Sequence, residues 1–472
     1  MNAPGSGKGR IGVGIDFGTS NSTAAWYDGT RLHYVQLEAN GPVLPTAIHL
    51  DRDFVALTGQ AAIERYVEEN RGRRVEMVAE VIGQAASSIG GAETGDDIND
   101  SLQTQRNVLY GPLVDRGLPG RLFHGLKRLL GDPNVERLSV FERQFRLVAL
   151  LTPILQRLRI GIQADTDSLV PRVHVGRPVN FEGRDVRSNE VAVARLDEAC
   201  RHAGLRNLQF YPEPVAATLS YLWRERPAER GIALTVDFGG GTLDLAVLRY
   251  AEAHFEVLGT AGIALGGDKI DQLIYQTFLF PLLGKGEPWR REVEGQWIET
   301  LFPFEEYEAA LLNWPITHTL NQNRTKSMVV DRISRGGPAA VKFERLHDLV
   351  RFNYSYNCFQ AIRKAKATLS EQAETVIDIP ELNLQIPFTR VAFDALLAGA
   401  LASTRELVEG LLRDTGLAAE QIDVVIRTGG TSQIVAVRTL LEDLFPGRVV
   451  AHDPFTSVAG GLAIANYQRG EA

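Results

Sequence analysis

A two-lobed α/β protein with a ligand cleft between its lobes is the fold class this sequence predicts. Two observations predict it: a glycine-bearing β-hairpin opens the chain and recurs near its middle, and helix-period segments follow each copy. The first copy runs Ile11-Gly-Val-Gly-Ile15, bends through Asp16-Phe-Gly-Thr-Ser-Asn21 and continues to Tyr27. The second runs Ile232-Ala-Leu-Thr-Val236, bends through Asp237-Phe-Gly-Gly-Gly-Thr242 and continues from Leu243 to Leu248. Aligning Asp16 with Asp237 superposes Phe17 on Phe238 and Gly18 on Gly239. Apolar runs flanking a glycine bend read as hairpins. One copy would be an ordinary tight turn, whereas two imply duplicated halves.

The elements between and after the repeats follow in order. Val191, Leu196, Ala199, Cys200 and Ala203 recur at helical spacing, Gly204 supplies a stop, and Cys200 reads as core. In Tyr211-Pro-Glu-Pro-Val-Ala-Ala217, Pro214 suits a first helical position, with Glu213 just outside the helix and facing a ligand. Val424-Val-Ile426 is strand-like and Gly429-Gly430 a sharp turn; Ile434, Val437, Leu441 and Leu444 mark one helix face. The last helix has Asp453 as N-cap, Pro454 behind it and a small-residue run from Val458 to Ala465. Two regions lack a clean period and read as outer insertions: Glu69 to Gly120, with a flexible loop at Gly90–Asp97, and Gln272 to Tyr356, with loops at Gly284, Gly286 and Gly336-Gly337.

The 472 residues, 44% of them hydrophobic, can bury a sizeable core. A net charge of −8 with no long basic run argues against nucleic acid or an anionic membrane as partner. Cys200 and Cys358 are far apart, which excludes a disulfide framework or a Cys-x-x-Cys zinc site. No apolar leader precedes Arg10 and no stretch of about 18 uncharged apolar residues occurs, so a cytoplasmic protein is expected. The nine histidines show no metal-ligand spacing, and Gly5-Ser-Gly-Lys-Gly9 has no strand before it to make it a phosphate loop.

Glycine turns aim backbone N–H groups at phosphate oxygens, and a nucleotide site adds Mg²⁺ and a lysine. Gly18, Thr19 and Ser20, with Asn21 beside them, suit one side of the phosphates; Gly239, Gly240, Gly241 and Thr242 suit the other. Asp16 and Asp237 then flank the metal, largely through water, because Mg²⁺ takes few direct protein ligands in such sites.

These segments resemble the DnaK-type seventy-kilodalton heat-shock chaperones, among them the short YegD-like proteins, over nearly the whole chain. The phosphate motifs are Ile15-Asp-Phe-Gly-Thr-Ser20 and Val236-Asp-Phe-Gly-Gly-Gly-Thr-Leu-Asp244; the connecting motif is Glu213-Pro-Val-Ala-Ala217 and the adenosine motif Thr428-Gly-Gly-Thr-Ser432. The resemblance implies an actin-like ATPase fold of duplicated ribonuclease-H-like domains, binding ATP or ADP with Mg²⁺ and K⁺. It places the phosphate-contacting lysine at Lys127, the glutamate beside metal and attacking water at Glu213, and the γ-phosphate threonine at Thr242. It makes Asp237 catalytic, adds the turn Gly266-Gly267, which read alone is a left-handed turn closed by Asp271, and gives Pro178 a role in lobe rotation. Gly429, Gly430 and Thr431 fall in the adenosine site, and Lys366 and Ser370 in the helix Ala361–Ser370 face the ribose.

The adenosine end departs from the family. Arg363 replaces a glutamate, Ala367 and Gln433 replace adenine-stacking arginines, and Phe455 replaces an aspartate, placed either to touch the base or to pack. The expected organisation is a tail at 1–10, lobe I at 11–230 with an outer insertion at about 55–125, and lobe II at 231–472 with one at about 272–375. No client-binding domain is expected after Ala472. The function implied is an ATP-driven, slowly hydrolysing conformational switch related to chaperones, with a co-chaperone or client protein as partner. The rivals are a sugar-type kinase, an actin-like filament protein and a non-hydrolysing nucleotide-binding module.

Overall fold

Each glycine hairpin grows into a five-strand path with the same connectivity. In the first sheet, β1 (Gly12–Phe17), β2 (Asn21–Tyr27), β3 (Leu32–Tyr34), β4 (Val173–Arg177) and β5 (Leu208–Pro212) lie in the order β3-β2-β1-β4-β5, and Leu44–Pro45 pairs with β2 off this path. In the second, β6 (Arg230–Phe238), β7 (Leu243–Ala251), β8 (His254–Ile263), β9 (Val424–Thr428) and β10 (Val449–Ala451) lie in the order β8-β7-β6-β9-β10. Both read antiparallel, antiparallel, parallel, parallel along that order. The duplication therefore extends well beyond the hairpins that betray it. The computed structural model describes residues 10–88, 104–115, 117–167, 172–181, 187–226, 230–251, 254–293 and 295–469. The expected tail, apart from Arg10, and the loop Gly90–Asp97 lie outside the described residues.

Six helices position the site: α1 (Leu147–Thr166), α2 (Glu213–Glu225), α3 (Gly267–Ile274), α4 (Ser355–Thr368), α5 (Val435–Leu444) and α6 (Ser457–Gln468). Among the described residues α1 is the one helix long and apolar enough to cross a membrane by length and composition. Its Leu150, Leu151, Ile154, Leu155, Leu158 and Ile162 are buried in the core of the first lobe. Three helix boundaries differ from the sequence reading. α2 starts at Glu213, which puts that carboxylate in the first turn and not outside it. α4 ends at Thr368, leaving Ser370 beyond its end. α6 starts at Ser457; Asp453 instead closes a preceding turn, its Oδ1 accepting the N–H groups of Phe455 and Thr456 at 2.9 and 2.8 Å.

The helices that end each half are exchanged across the division expected at residue 230. Val215 and Tyr221 of α2 pack with residues of β6, β7 and β9, whereas Ala459, Ala463 and Ile464 of α6 pack with Ala25 and Tyr27 of β2. α2 and α6 also cross each other through Ala216, Ala217, Val458 and Leu462. The approach is backbone against backbone: a β-carbon on Gly461 would stand 1.8 Å from the Ala216 carbonyl oxygen, and one on Gly12 of β1 would stand 2.1 Å from that of Ala463. Gly461→Ala is expected to lower the unfolding free energy by about 3 kcal/mol, because a forced methyl displaces main chain and not a flexible side chain. An unchanged denaturant midpoint would show that the helices part freely.

The outer parts of the two lobes meet across the cleft. Tyr66, on the helix Gln60–Asn70, donates from its hydroxyl to the Pro315 carbonyl at 2.5 Å, lies 2.7 Å from His318 Nδ1 and packs edge-on to Trp314. The Gly72 N–H donates to Arg351 O, the Val75 N–H to Asn321 O and Asn321 Nδ2 to Arg73 O. Trp314 also packs on Tyr356 and His124. One apolar core consequently runs from Ile63 and Tyr66 into the second lobe. Within the second insertion lie a hairpin, Pro288–Val293 with Gln296–Leu301, and the helices Asn323–Ser334 and Ala340–Phe352.

Candidate nucleotide site

Both glycine turns lie at the ends of central hairpins, so register fixes what they present. Asp16 pairs with Thr23 in the first hairpin, and Asp237 with Asp244 in the second. A β-carbon on Gly240 would lie 2.6 Å from Ser20 Oγ, and one on Gly241 2.8 Å from Thr19 Oγ1, so the turns face each other directly. Thr431 Oγ1 donates to Gly239 O at 2.8 Å and ties the Gly429-Gly430 turn to the second hairpin. Gly266 is extended (φ −149°, ψ 178°) and not left-handed as the sequence suggested. It is glycine for space, since a β-carbon there would stand 2.2 Å from Gly240 O.

These turns line a cavity of about 730 Å³ between the lobes, together with Asp16, Asn21, Lys127, Pro178, Glu213, Asp237, Thr242, Gly267, Lys366, Ser370, Gly429, Gly430, Thr431, Gln433 and Phe455. Gly266 is not on its wall, but its successor Gly267 is. All but one of the residues singled out in the sequence thus share a single cleft.

Its deep end is acidic. Lys127 Nζ lies 2.6 Å from Glu213 Oε1, both groups buried, in a contact spanning 86 positions. Burial first, then the charge of Glu213, pushes the Asp16 carboxyl up to about 7, against the pull of Lys127. Asp237 is raised well above the carboxylate range by burial and by Glu213, Asp244 and Asp16. Asp244 is 1% exposed and rises to about 7 through burial and Glu213, although its Oδ1 accepts the Val179 N–H at 2.8 Å. Four carboxylates thus crowd around one ammonium, with the Arg177 guanidinium acting on Glu213 and Asp244, which still leaves a deficit of positive charge. Among the described residues no group of three or more His, Cys, Asp or Glu could hold a metal ion by itself. This donor set fits a divalent cation bound through water and ligand phosphates, not a protein cage.

Beside the acids lies a mixed cluster that joins the lobes. Asp268 Oδ2 accepts from Ser20 Oγ at 3.0 Å and from Arg128 Nη2 at 2.9 Å, while Arg363 Nη2 stands 3.6 Å from Oδ1. Burial opposes its charge, yet Arg363 and Arg128 hold its carboxyl below the usual range. Lys366 Nζ donates to Asp271 Oδ1 at 2.6 Å, and Arg363 Nε to Oδ2 at 3.1 Å. Lys366, assigned by resemblance to a ribose, is therefore ion-paired at the cleft wall. Sequence reasoning passed over Asp244, Arg128 and Asp268 as site residues. The signal for Asp244 was available, because a symmetric hairpin places it opposite Asp237.

The Hsp70 protein family model matches residues 127–282 and 355–466, more than half of the chain, and leaves out the hairpin and helices of the second insertion. A chaperone protein HscA from Serratia proteamaculans is 25% identical over 459 residues, covering 96% of this chain and 58% of the relative. A chaperone protein dnaK1 from Synechocystis is 23% identical over 96% of the chain and 53% of its own length; a chaperone protein dnaK from Cyanidioschyzon merolae is 25% identical over 96% and 61%. The chain spans a little over half the length of these relatives. With the duplicated sheets and the inter-lobe cleft, these matches make the chain a member of the Hsp70 family, built on its actin-like ATPase fold.

Proposed function

We propose that this protein binds ATP with Mg²⁺ in the cleft, hydrolyses it slowly, and uses the bound state to set the relation of its two lobes in a cytoplasmic, chaperone-related role with a protein partner. The observation that carries this reading is the apposition of the two glycine turns above the buried Lys127–Glu213 pair. The backbone N–H groups of Gly18 to Ser20 and Gly239 to Thr242 hold the phosphates from two sides. Lys127 balances charge developing on the γ-phosphate, and Glu213, ion-paired to it, orients the attacking water. Asp16 and Asp237 would hold Mg²⁺ through water, and the ion supplies charge neutralisation on the phosphates. The Val179–Asp244 hydrogen bond and the Asn180 Nδ2 contact to Gly262 O at 3.2 Å link the Pro178 loop to the second lobe, so lobe rotation would be felt there.

Calorimetric titration with ATP and ADP in Mg²⁺, on wild type and Asp16→Ala, tests binding. The expected result is an affinity in the micromolar range or tighter, weakened at least about tenfold by the substitution. Wild-type protein that binds neither nucleotide would remove the reading.

A further inference from the structure

Toward the outer rim the cavity is lined by residues that the nucleotide reading leaves unused. The helix Gln60–Asn70 supplies Gln60 and Ile63, the strand Gly120–His124 supplies His124, the short helix Trp314–Leu320 supplies Trp314, and α4 supplies Tyr356 and Gln360. Three come from each lobe. Trp314 joins them: its ring centre lies 5.8 Å from that of His124 and 4.9 Å from that of Tyr356. What sets this wall apart is unmet hydrogen-bonding capacity. Trp314 is 5% exposed, yet among the described residues its indole N–H has no acceptor, and neither ring nitrogen of His124 has a partner. None of these three nitrogens is sealed from water. Burial pushes the His124 imidazole down to about 4, with Asp268 pulling it up and Arg363 and Arg128 pushing it further down. It is therefore neutral at pH 7 and offers one donor and one acceptor. The amides add acceptors: Gln60 Nε2 donates to Glu64 Oε1 at 3.0 Å and Gln360 Nε2 to the Tyr356 hydroxyl, which leaves both amide carbonyl oxygens without a donor among the described residues. The nearest cations, Arg128 and Arg363, are already ion-paired with Asp268 and Asp271, so this wall calls for no charge on a ligand.

We propose that the outer cleft is a second ligand site, separate from the nucleotide's, and that it takes a small neutral ring bearing several hydroxyl groups, such as a monosaccharide or cyclitol. Aromatic side chains with a few placed polar groups are the usual lining of such a pocket: Trp314 and Tyr356 receive the C–H side of the ring. Hydroxyl groups both donate and accept, which matches the N–H groups of Trp314 and His124 on one hand and the carbonyl oxygens of Gln60 and Gln360 on the other. A ring seated there touches both lobes at once. The site is complete without a nucleotide, since every group named belongs to the chain.

The test is ligand-observed saturation-transfer NMR on the nucleotide-free full chain, titrated with D-glucose, myo-inositol and N-acetylglucosamine, for wild type, His124→Phe and Gln360→Leu. At least one of the three probes is expected to bind wild type saturably with a Kd of about 1 mM or tighter. His124→Phe keeps a ring beside Trp314 and removes its hydrogen bonds; Gln360 is exposed, so its replacement leaves the fold intact. Each variant should weaken that probe about tenfold, the scale of one lost hydrogen bond. No saturable binding of any probe up to about 20 mM, or wild-type affinity in both variants, overturns the proposal. Competition by ATP with Mg²⁺ would put the probe in the nucleotide site and overturn it as well. Wild type that binds a probe and no nucleotide removes the functional reading above and leaves this site standing.

Discussion

Lys127→Ala is expected to slow single-turnover hydrolysis of bound ATP by about a hundredfold or more, the scale of losing one preorganised charge from a phosphoryl-transfer site. The structure adds a second consequence. Lys127 is 4% exposed and Glu213 9% exposed, so removing the ammonium leaves a carboxylate buried among Asp16, Asp237 and Asp244 without its ion-pair partner, with only the more distant charge of Arg177 acting on it. Breaking a buried pair in this way typically destabilises by about 3–5 kcal/mol. The two effects separate in the double variant Lys127→Met with Glu213→Gln, which removes both charges at similar volume. Its stability should recover much of the loss while turnover stays low. A turnover within about threefold of wild type in Lys127→Ala would show that the lysine is a structural counter-ion and no more.

Stability of the nucleotide-free protein is expected to carry a falling component as pH rises from about 4 to about 7. The Asp16 and Asp244 carboxyls are raised from 3.8 to about 7 in the folded chain. Inside this window the unfolded chain has released protons that the folded chain retains, so unfolding gains with pH. The contribution is fully present below the unfolded value and gone once pH passes the folded one. For Asp244, 1% exposed, the size is on the order of 4 kcal/mol; Asp16 opens onto cleft water and contributes less. Asp244→Asn keeps an acceptor for the Val179 N–H and removes the charge. The difference in unfolding free energy between variant and wild type, followed from pH 5 to 8, should therefore grow in favour of the variant, with other titrations cancelling. Adding Mg²⁺ and nucleotide should shrink that difference, because positive charge at the acids favours their ionised forms. A difference that stays flat with pH would show that Asp244 is ionised throughout.

What could be read from the sequence was whatever is local. The two bends announced themselves because each packs an aspartate, a phenylalanine and glycine into a turn between apolar strands, and the structure extends that repeat to whole sheets. The pair at Gly266 was misread because its glycines answer to other segments, Gly266 to the Gly240 main chain and Gly267 to the Thr431 side chain, and not to their own dihedral angles. Arg128 and Asp268 carry no local pattern, since their contact spans 140 positions. Lys127 has none either, and only the resemblance drew attention to it. The strand Gln296–Leu301 showed no alternation because all six of its residues are exposed and the strand has no inner face.

The crossing of α2 and α6 joins two helices through main chain, with Gly461 seated on the Ala216 carbonyl. With Gly461 and two alanines at the crossing, the side-chain ridges there are low, with Val458 and Leu462 the larger groups. At the opposite rim Tyr66, Trp314 and Tyr356 interlock, and rotation must first pull aromatic rings out of one another's grasp. Under the proposed lobe rotation the first contact would serve as a bearing and the second as a catch. If the lobes move as proposed, changes at the catch are expected to alter how often a bound ligand is set free, and changes at the bearing to alter whether the two halves meet in register.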